Sequence, residues 1–167
     1  YGAIFCHAEA HAAVDECNLP ELYTGGAKII GLHGEAGKIS PESVKRALAG
    51  FIKAEHDPKP CTVSLTNSTE AGTVYSPAEI KAFSDLIRPR GMKLHMDGAR
   101  FANALVSTGV TPAELTWKAG VDLMSFGGTK NGAMFLEAVI FFDTSLAQDF
   151  LYRRMRAGQL LSKSRYL

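Results

Sequence analysis

Short runs rich in β-branched and aromatic residues alternate along the chain with segments whose apolar positions recur at helical spacing. Ala3–Cys6 and Ala27–Leu32 read as the first two strands, with a helical stretch beginning near His11 between them. Ser40-Pro41-Glu42 predicts a helix start, serine as the cap and proline at the first helical position. Val44, Leu48, Phe51 and Ile52 give that helix one apolar face, which carries it to about Glu55. Cys61–Leu65 is the third strand. Ser76-Pro77-Ala78-Glu79 repeats the start signal with an acid three residues after the cap, and the helix it opens is stopped after Ile87 by Pro89 and Gly91. Lys93–Met96 reads as the fourth strand and leads into Asp97-Gly98. A short helix over Phe101–Ser107 and another opened by Thr111-Pro112 follow. Val121–Phe126 and Ala138–Phe142 are the fifth and sixth strands, and a long basic helix from about Leu146 closes the chain.

Strands that alternate with helices predict an α/β fold, a mostly parallel sheet with helices on both faces. Only about ten residues separate the fifth strand from the sixth, too few for a comfortable crossover helix, so the sixth is expected to run antiparallel. In such sheets ligands sit beyond the carboxyl ends of the strands. The polar residues expected there are His7 and His11, the segment Asn67 to Glu70, Asp97 with Arg100, and Thr129 with Lys130.

Composition narrows the picture. With 167 residues, 46% of them apolar and 21% charged, the chain suits one globular domain. Its net charge of +1 provides no field for nucleic acid, and no apolar run is long enough for a membrane span. Cys6, Cys17 and Cys61 form no paired framework, which suits a reducing compartment such as the cytoplasm. The start lacks the basic flank and apolar run of a signal peptide. It opens almost inside a strand without a methionine, and the end stops in helix-like sequence, so a fragment of a longer polypeptide is expected.

The chemistry concentrates in two segments. In Ser125-Phe-Gly-Gly-Thr-Lys-Asn-Gly132 a lysine lies among glycines at a strand end. The glycine spacing and the asparagine after Lys130 do not fit a triphosphate-binding loop. Lys130 alone reads equally as a surface-turn lysine or as an imine-forming amine, the glycines then leaving room for a flat ring. In His95-Met-Asp-Gly-Ala-Arg100, Asp97 alone reads as a helix cap and Arg100 as a surface arginine. Beside Lys130 they gain another meaning, because pyridoxal phosphate needs a lysine for its aldehyde and a carboxylate for its pyridine nitrogen. Arg100 then offers a fork for a carboxylate or phosphate. His11 reads as a polar helix terminus, or as a ring that stacks on a flat cofactor or moves protons. Cys6, His7, His11 and Cys17 lack the paired hook of a zinc site, so no metal is expected. The basic run Arg153-Arg154-Met155-Arg156, with Lys163 and Arg165, reads as a solvated helix face.

His95 to Ala104 followed by Ser125 to Gly132 closely resembles the low-specificity L-threonine aldolases, part of the β-eliminating lyase group of fold-type I pyridoxal-phosphate enzymes. Cys6 to His11 with Glu16, Thr24 to Lys28, and Leu65 to Gly72 support the resemblance. It implies that Lys130 holds the cofactor, Asp97 pairs with the pyridine nitrogen, Arg100 holds the substrate carboxylate, and His11 stacks on the ring and assists proton transfer. The implied reaction cleaves β-hydroxy-α-amino acids, L-threonine or L-allo-threonine among them, to glycine and an aldehyde, in a homo-dimer or tetramer. Where Thr69 stands, some relatives carry a histidine near the substrate. The resemblance covers the middle of the family's large domain, without the N-terminal segment that binds the cofactor phosphate or the C-terminal small domain. A non-catalytic structural piece, and a sibling lyase or racemase acting on another amino acid, are the competing readings.

Overall fold

A computed structural model of the chain describes residues 1–162. The chain opens with β1 (Gly2–His7), followed by two short helices, α1 (His11–Val14) and α2 (Leu19–Tyr23), then β2 (Lys28–Leu32) and α3 (Pro41–Leu48). Next come β3 (Lys59–Thr66), α4 (Pro77–Ile87), β4 (Lys93–Gly98), α5 (Phe101–Thr108) and α6 (Pro112–Leu115). The last elements are β5 (Leu123–Gly127), β6 (Glu137–Phe141) and α7 (Phe150–Arg156). The six strands form one sheet in the order β2-β1-β3-β4-β5-β6, all neighbours parallel except the antiparallel β5–β6 pair. The expected reversal of the sixth strand is therefore present.

Alternation along the strands separates two faces. Ala3, Phe5, Val63, Leu65, Leu94 and Met96 point into the core, where they meet Val44 of α3, the Ile80, Phe83 and Ile87 row of α4, and Phe101 of α5. Burying each such large side chain contributes about 1.5–3 kcal/mol. The opposite face carries Ser64, Thr66, His95, Asp97 and Ser125, and α7 packs on it through an edge-to-face contact of Phe150 with Phe141. Helices thus lie on both faces. One interface is an apolar core and the other a polar floor.

Three helix starts follow the cap signals. Ser40, Ser76 and Thr111 each accept from the backbone N–H three residues on and donate their own N–H to the side chain there, with proline in the first turn. α4 ends at Ile87 as Pro89 and Gly91 predict, whereas other helical stretches depart from expectation. α3 stops at Leu48, because Gly50 follows and the chain turns so that Phe51 packs edge-to-face on Phe5, leaving Ile52 79% exposed. The stretch from His11 breaks at Cys17 and Asn18, both at positive φ, and restarts at Leu19-Pro20. The long basic helix is a 3-10 turn at Thr144–Ala147 and then α7, separated by Asp149 in the left-handed region. Lys163 and Arg165 lie outside the described residues.

Candidate active site

The carboxyl ends of β1, β3, β4 and β5 lie along one edge of the sheet, and the strand order reverses between β1 and β3. An α/β sheet opens a crevice at such a reversal. His11 begins α1 just after β1, and Glu70 lies in the loop after β3. The two sides are tied directly: the His11 backbone N–H donates to Glu70 Oε1 at 3.0 Å, while His11 Nδ1 meets Glu16 Oε1 at 3.0 Å. The loop carrying Glu70 is held from within. Buried Asn67 accepts from Tyr75 N–H and donates to the Tyr75 carbonyl, and its own N–H donates to the Asp97 carbonyl at 2.9 Å. Buried Thr69 bonds Thr73 at 2.8 Å and donates to the Ala36 carbonyl, so its hydroxyl serves the loop.

Asp97 is the penultimate residue of β4, in register with Thr66 on one side and Ser125 on the other. Its Oδ1 accepts from Ala99 N–H at 3.0 Å. It does not cap α5, whose cap position is Arg100 and has no side-chain cap. The cap reading of Asp97 is thereby replaced by a carboxylate presented at a strand end. Arg100 is half-buried three residues on, its guanidinium making no hydrogen bond or ion pair to any described residue.

Beneath Asp97 on the same face, His95 joins three strands. Its Nδ1 lies 2.8 Å from Ser64 Oγ on β3 and its Nε2 3.0 Å from Ser125 Oγ on β5. Burial pushes the His95 imidazole below its ordinary range, partly opposed by the carboxylates of Asp97 and Glu16. The ring is therefore neutral at pH 7 and adds no positive charge beside Asp97.

Lys130 is exposed, in a one-turn 3-10 segment over Thr129–Asn131 directly after β5. The chain then returns as β6 with no helix, which removes the phosphate-loop reading. Gly127 and Gly128 do not leave open space, contrary to the expectation of room for a ring. A Cβ on Gly127 would lie 2.7 Å from Ala99 Cα, and one on Gly128 would lie 2.8 Å from Leu136 Cδ2. Gly127 lets the lysine turn close against the aspartate strand, and Gly128 lets it close against the chain returning to β6. Asn131 Nδ2 secures that approach, donating to the Gly127 carbonyl at 2.7 Å and reaching the Ala99 carbonyl at 3.5 Å.

The structure thus links Lys130 to the Asp97 strand end through Asn131, and His11 to the end of β3 through Glu70. His7, by contrast, is buried and spends both ring nitrogens on the Gly34 carbonyl and the Glu9 N–H. Cys6 is buried too, its thiol pushed up to about 11 by burial, with Glu70 and Glu21 adding to the effect. Among the described residues no group of three His, Cys, Asp or Glu side chains could hold a metal ion. A separate cleft of about 1350 Å³ between α2, α7 and the β5–β6 pair reaches Ser125, and none of His11, Asp97, Arg100 and Lys130 lines it. Sequence reasoning assigned no role to Glu16, Glu70, Ser125 or Asn131. Each lay in or beside a segment the sequence singled out, Glu70 among the polar strand ends and Asn131 beside the lysine, but the carboxylates become partners of His11 only through the fold.

Comparison with known proteins bears on the fold and the family. The family model described as beta-eliminating lyase matches residues 1–164. Two low specificity L-threonine aldolases, from Pseudomonas sp. and Pseudomonas aeruginosa, are 49% and 50% identical over the whole chain, which covers 48% of each. The chain spans about half the length of the curated relatives it matches. The solved threonine aldolase of Leishmania major superposes with a TM-score of 0.85 at 28% identity, over 94% of this chain and 45% of that one. With its parallel sheet, its reversed last strand and a family match along nearly its whole length, the chain belongs to the beta-eliminating lyase family.

Proposed function

We propose that this chain carries the site of a pyridoxal-phosphate-dependent aldolase that cleaves β-hydroxy-α-amino acids, L-threonine or L-allo-threonine, to glycine and an aldehyde. The observation that carries the reading is the junction of two strand ends. Asp97 keeps one carboxylate oxygen for Ala99, its Oδ2 having no hydrogen-bond partner among the described residues, and the turn bearing Lys130 is packed against that same strand end. The threonine aldolases about half identical to the chain point to the substrate.

These residues fit the cofactor's needs. The free oxygen of Asp97 suits a protonated pyridine nitrogen, Lys130 has no ion-pair partner among the described residues, and the Arg100 fork is uncommitted. Pyridoxal phosphate, when bound, supplies the sink for the electrons released as the Cα–Cβ bond breaks. Lys130 would hold its aldehyde, and Asp97 its ring nitrogen. Arg100 would orient the substrate carboxylate through paired N–H groups. His11 would lie on the ring and exchange a proton at an imidazole nitrogen. The cytoplasm and a homo-dimer or tetramer belong to the same proposal, supported by three free cysteines and by the family resemblance.

The test adds pyridoxal phosphate to the intact protein, reduces with borohydride and maps the modified peptide. The label is expected on Lys130, followed by acetaldehyde release from threonine. A label on another lysine would sink the assignment. A correctly labelled protein inert to threonine but active on another amino acid would make it a sibling lyase or racemase, and one inert to all would make it a structural piece.

A further inference from the structure

The carboxylate beside His11 has no place in the reading above, and its geometry is specific. A neutral imidazole carries its proton on one nitrogen, and an ionised carboxylate can only accept. Glu16 Oε1 faces His11 Nδ1 at 3.0 Å, so the proton belongs on Nδ1 and the lone pair on Nε2. A continuous helix would not bring these residues together, since side chains four apart share a face and those five apart do not. The contact exists because α1 ends at Val14 and Asp15 leaves helical geometry, with φ of -117° and ψ of 4°, before the chain turns again at Cys17 and Asn18. Left-handed backbone is uncommon outside glycine and occurs here in two successive residues directly after Glu16. The other side of the histidine is fixed independently. Ala10 offers α1 no side-chain cap, and Glu70 supplies that function from across the crevice by accepting the His11 N–H.

We propose that Glu16 is a positioning residue for His11: it sets the Nδ1–H tautomer, aims the ring into the crevice, and leaves Nε2 as the atom that exchanges a proton with the substrate. The inference rests on the aldolase reading for the identity of the substrate, and on this chain's own geometry for the pair. The charged groups in contact with His11 are Glu16 of the α1–α2 connection, at the ring, and Glu70 of the β3–α4 loop, at the backbone N–H. When Nε2 takes a proton, the imidazolium is offset by Glu16, the arrangement by which a carboxylate orients a general base. The side chains of His11 and Glu16 are 48% and 29% exposed, so the pair adds little to folding stability and its effect falls on orientation.

Histidine 15N spectra of the intact, cofactor-free protein test the pair directly. His11 is expected as the Nδ1–H tautomer, converted by Glu16→Ala to a mixture richer in Nε2–H at an unchanged melting temperature. In the cofactor-loaded protein, Glu16→Ala should lower kcat by roughly ten- to a hundredfold with KM moved by less than about twofold. Glu16→Asp should recover the tautomer and part of kcat. An unchanged tautomer in Glu16→Ala overturns the pair, and a changed tautomer with unchanged kcat overturns the positioning role. A native protein with the Nδ1–H tautomer that binds no cofactor overturns the aldolase reading while upholding the pair.

Discussion

Burial lowers the proton affinity of His95, and the hydroxyls of Ser64 and Ser125 occupy its two nitrogens. Its folded pKa lies below its unfolded value of about 6.5, so on acidification the unfolded chain takes the proton first. Stability is therefore full above that unfolded value and falls as pH drops below it, until the folded value is reached. Urea unfolding between pH 7.5 and about 5.5 should show the midpoint decline, and His95→Gln, which has no such proton to take, should flatten this component. An unchanged slope in the variant would assign the loss elsewhere. At this scale the sequence was informative wherever one residue sat inside a distinctive string, as Asp97, Arg100 and Lys130 do. It was silent on His95 as a bridge and on Glu16 and Glu70 as clamps. Those roles depend on partners 5 to 59 positions away along the chain, brought close only by strand order and by a break in the helix.

Among the elements, the β4–β5 junction is the most tightly determined. Gly127 is buried against backbone rather than a flexible side chain, so a methyl group there has nowhere to go. Gly127→Ala should cost about 1–3 kcal/mol in chemical unfolding and weaken cofactor binding beyond what stability explains, because the Lys130 turn must lift from Ala99. Gly72→Ala is the control, a position at φ +81° with nothing within 4 Å, where only backbone strain is felt and cofactor affinity should hold. Helix beginnings were readable because a cap is a local contract among four residues, visible in Ser40, Ser76 and Thr111. Helix ends were readable only where proline and glycine mark them, as Pro89 and Gly91 do after α4. α3 stops early where Gly50 follows and Phe51 turns to pack on Phe5, a partner distant in sequence that no local pattern records.

At the scale of the molecule, the alternation of strands and helices was enough to give the α/β class, the parallel sheet and its reversed last strand. The asymmetry of the two faces was hidden, because a polar strand residue reads alike whether it meets solvent or floors a site. Ligand binding to the folded state alone should raise stability by about 2.7 kcal/mol at a concentration one hundred times Kd. Pyridoxal phosphate is thus expected to raise the melting temperature of the intact protein, and Lys130→Ala to lose most of that shift while keeping the unliganded value. An equal shift in the variant would place the binding elsewhere. The β5–β6 pair carries one more implication. The loop between them is closed on itself, Gly128 and Thr129 N–H both donating to the Leu136 carbonyl and Leu136 N–H returning to Thr129 Oγ1. A hairpin of this kind closes in about 1–10 μs, whereas parallel pairing waits for distant chain to arrive. The turn that presents Lys130 can therefore take shape from neighbouring sequence, while the carboxylate it is to face is delivered later, with the long-range pairing of β4.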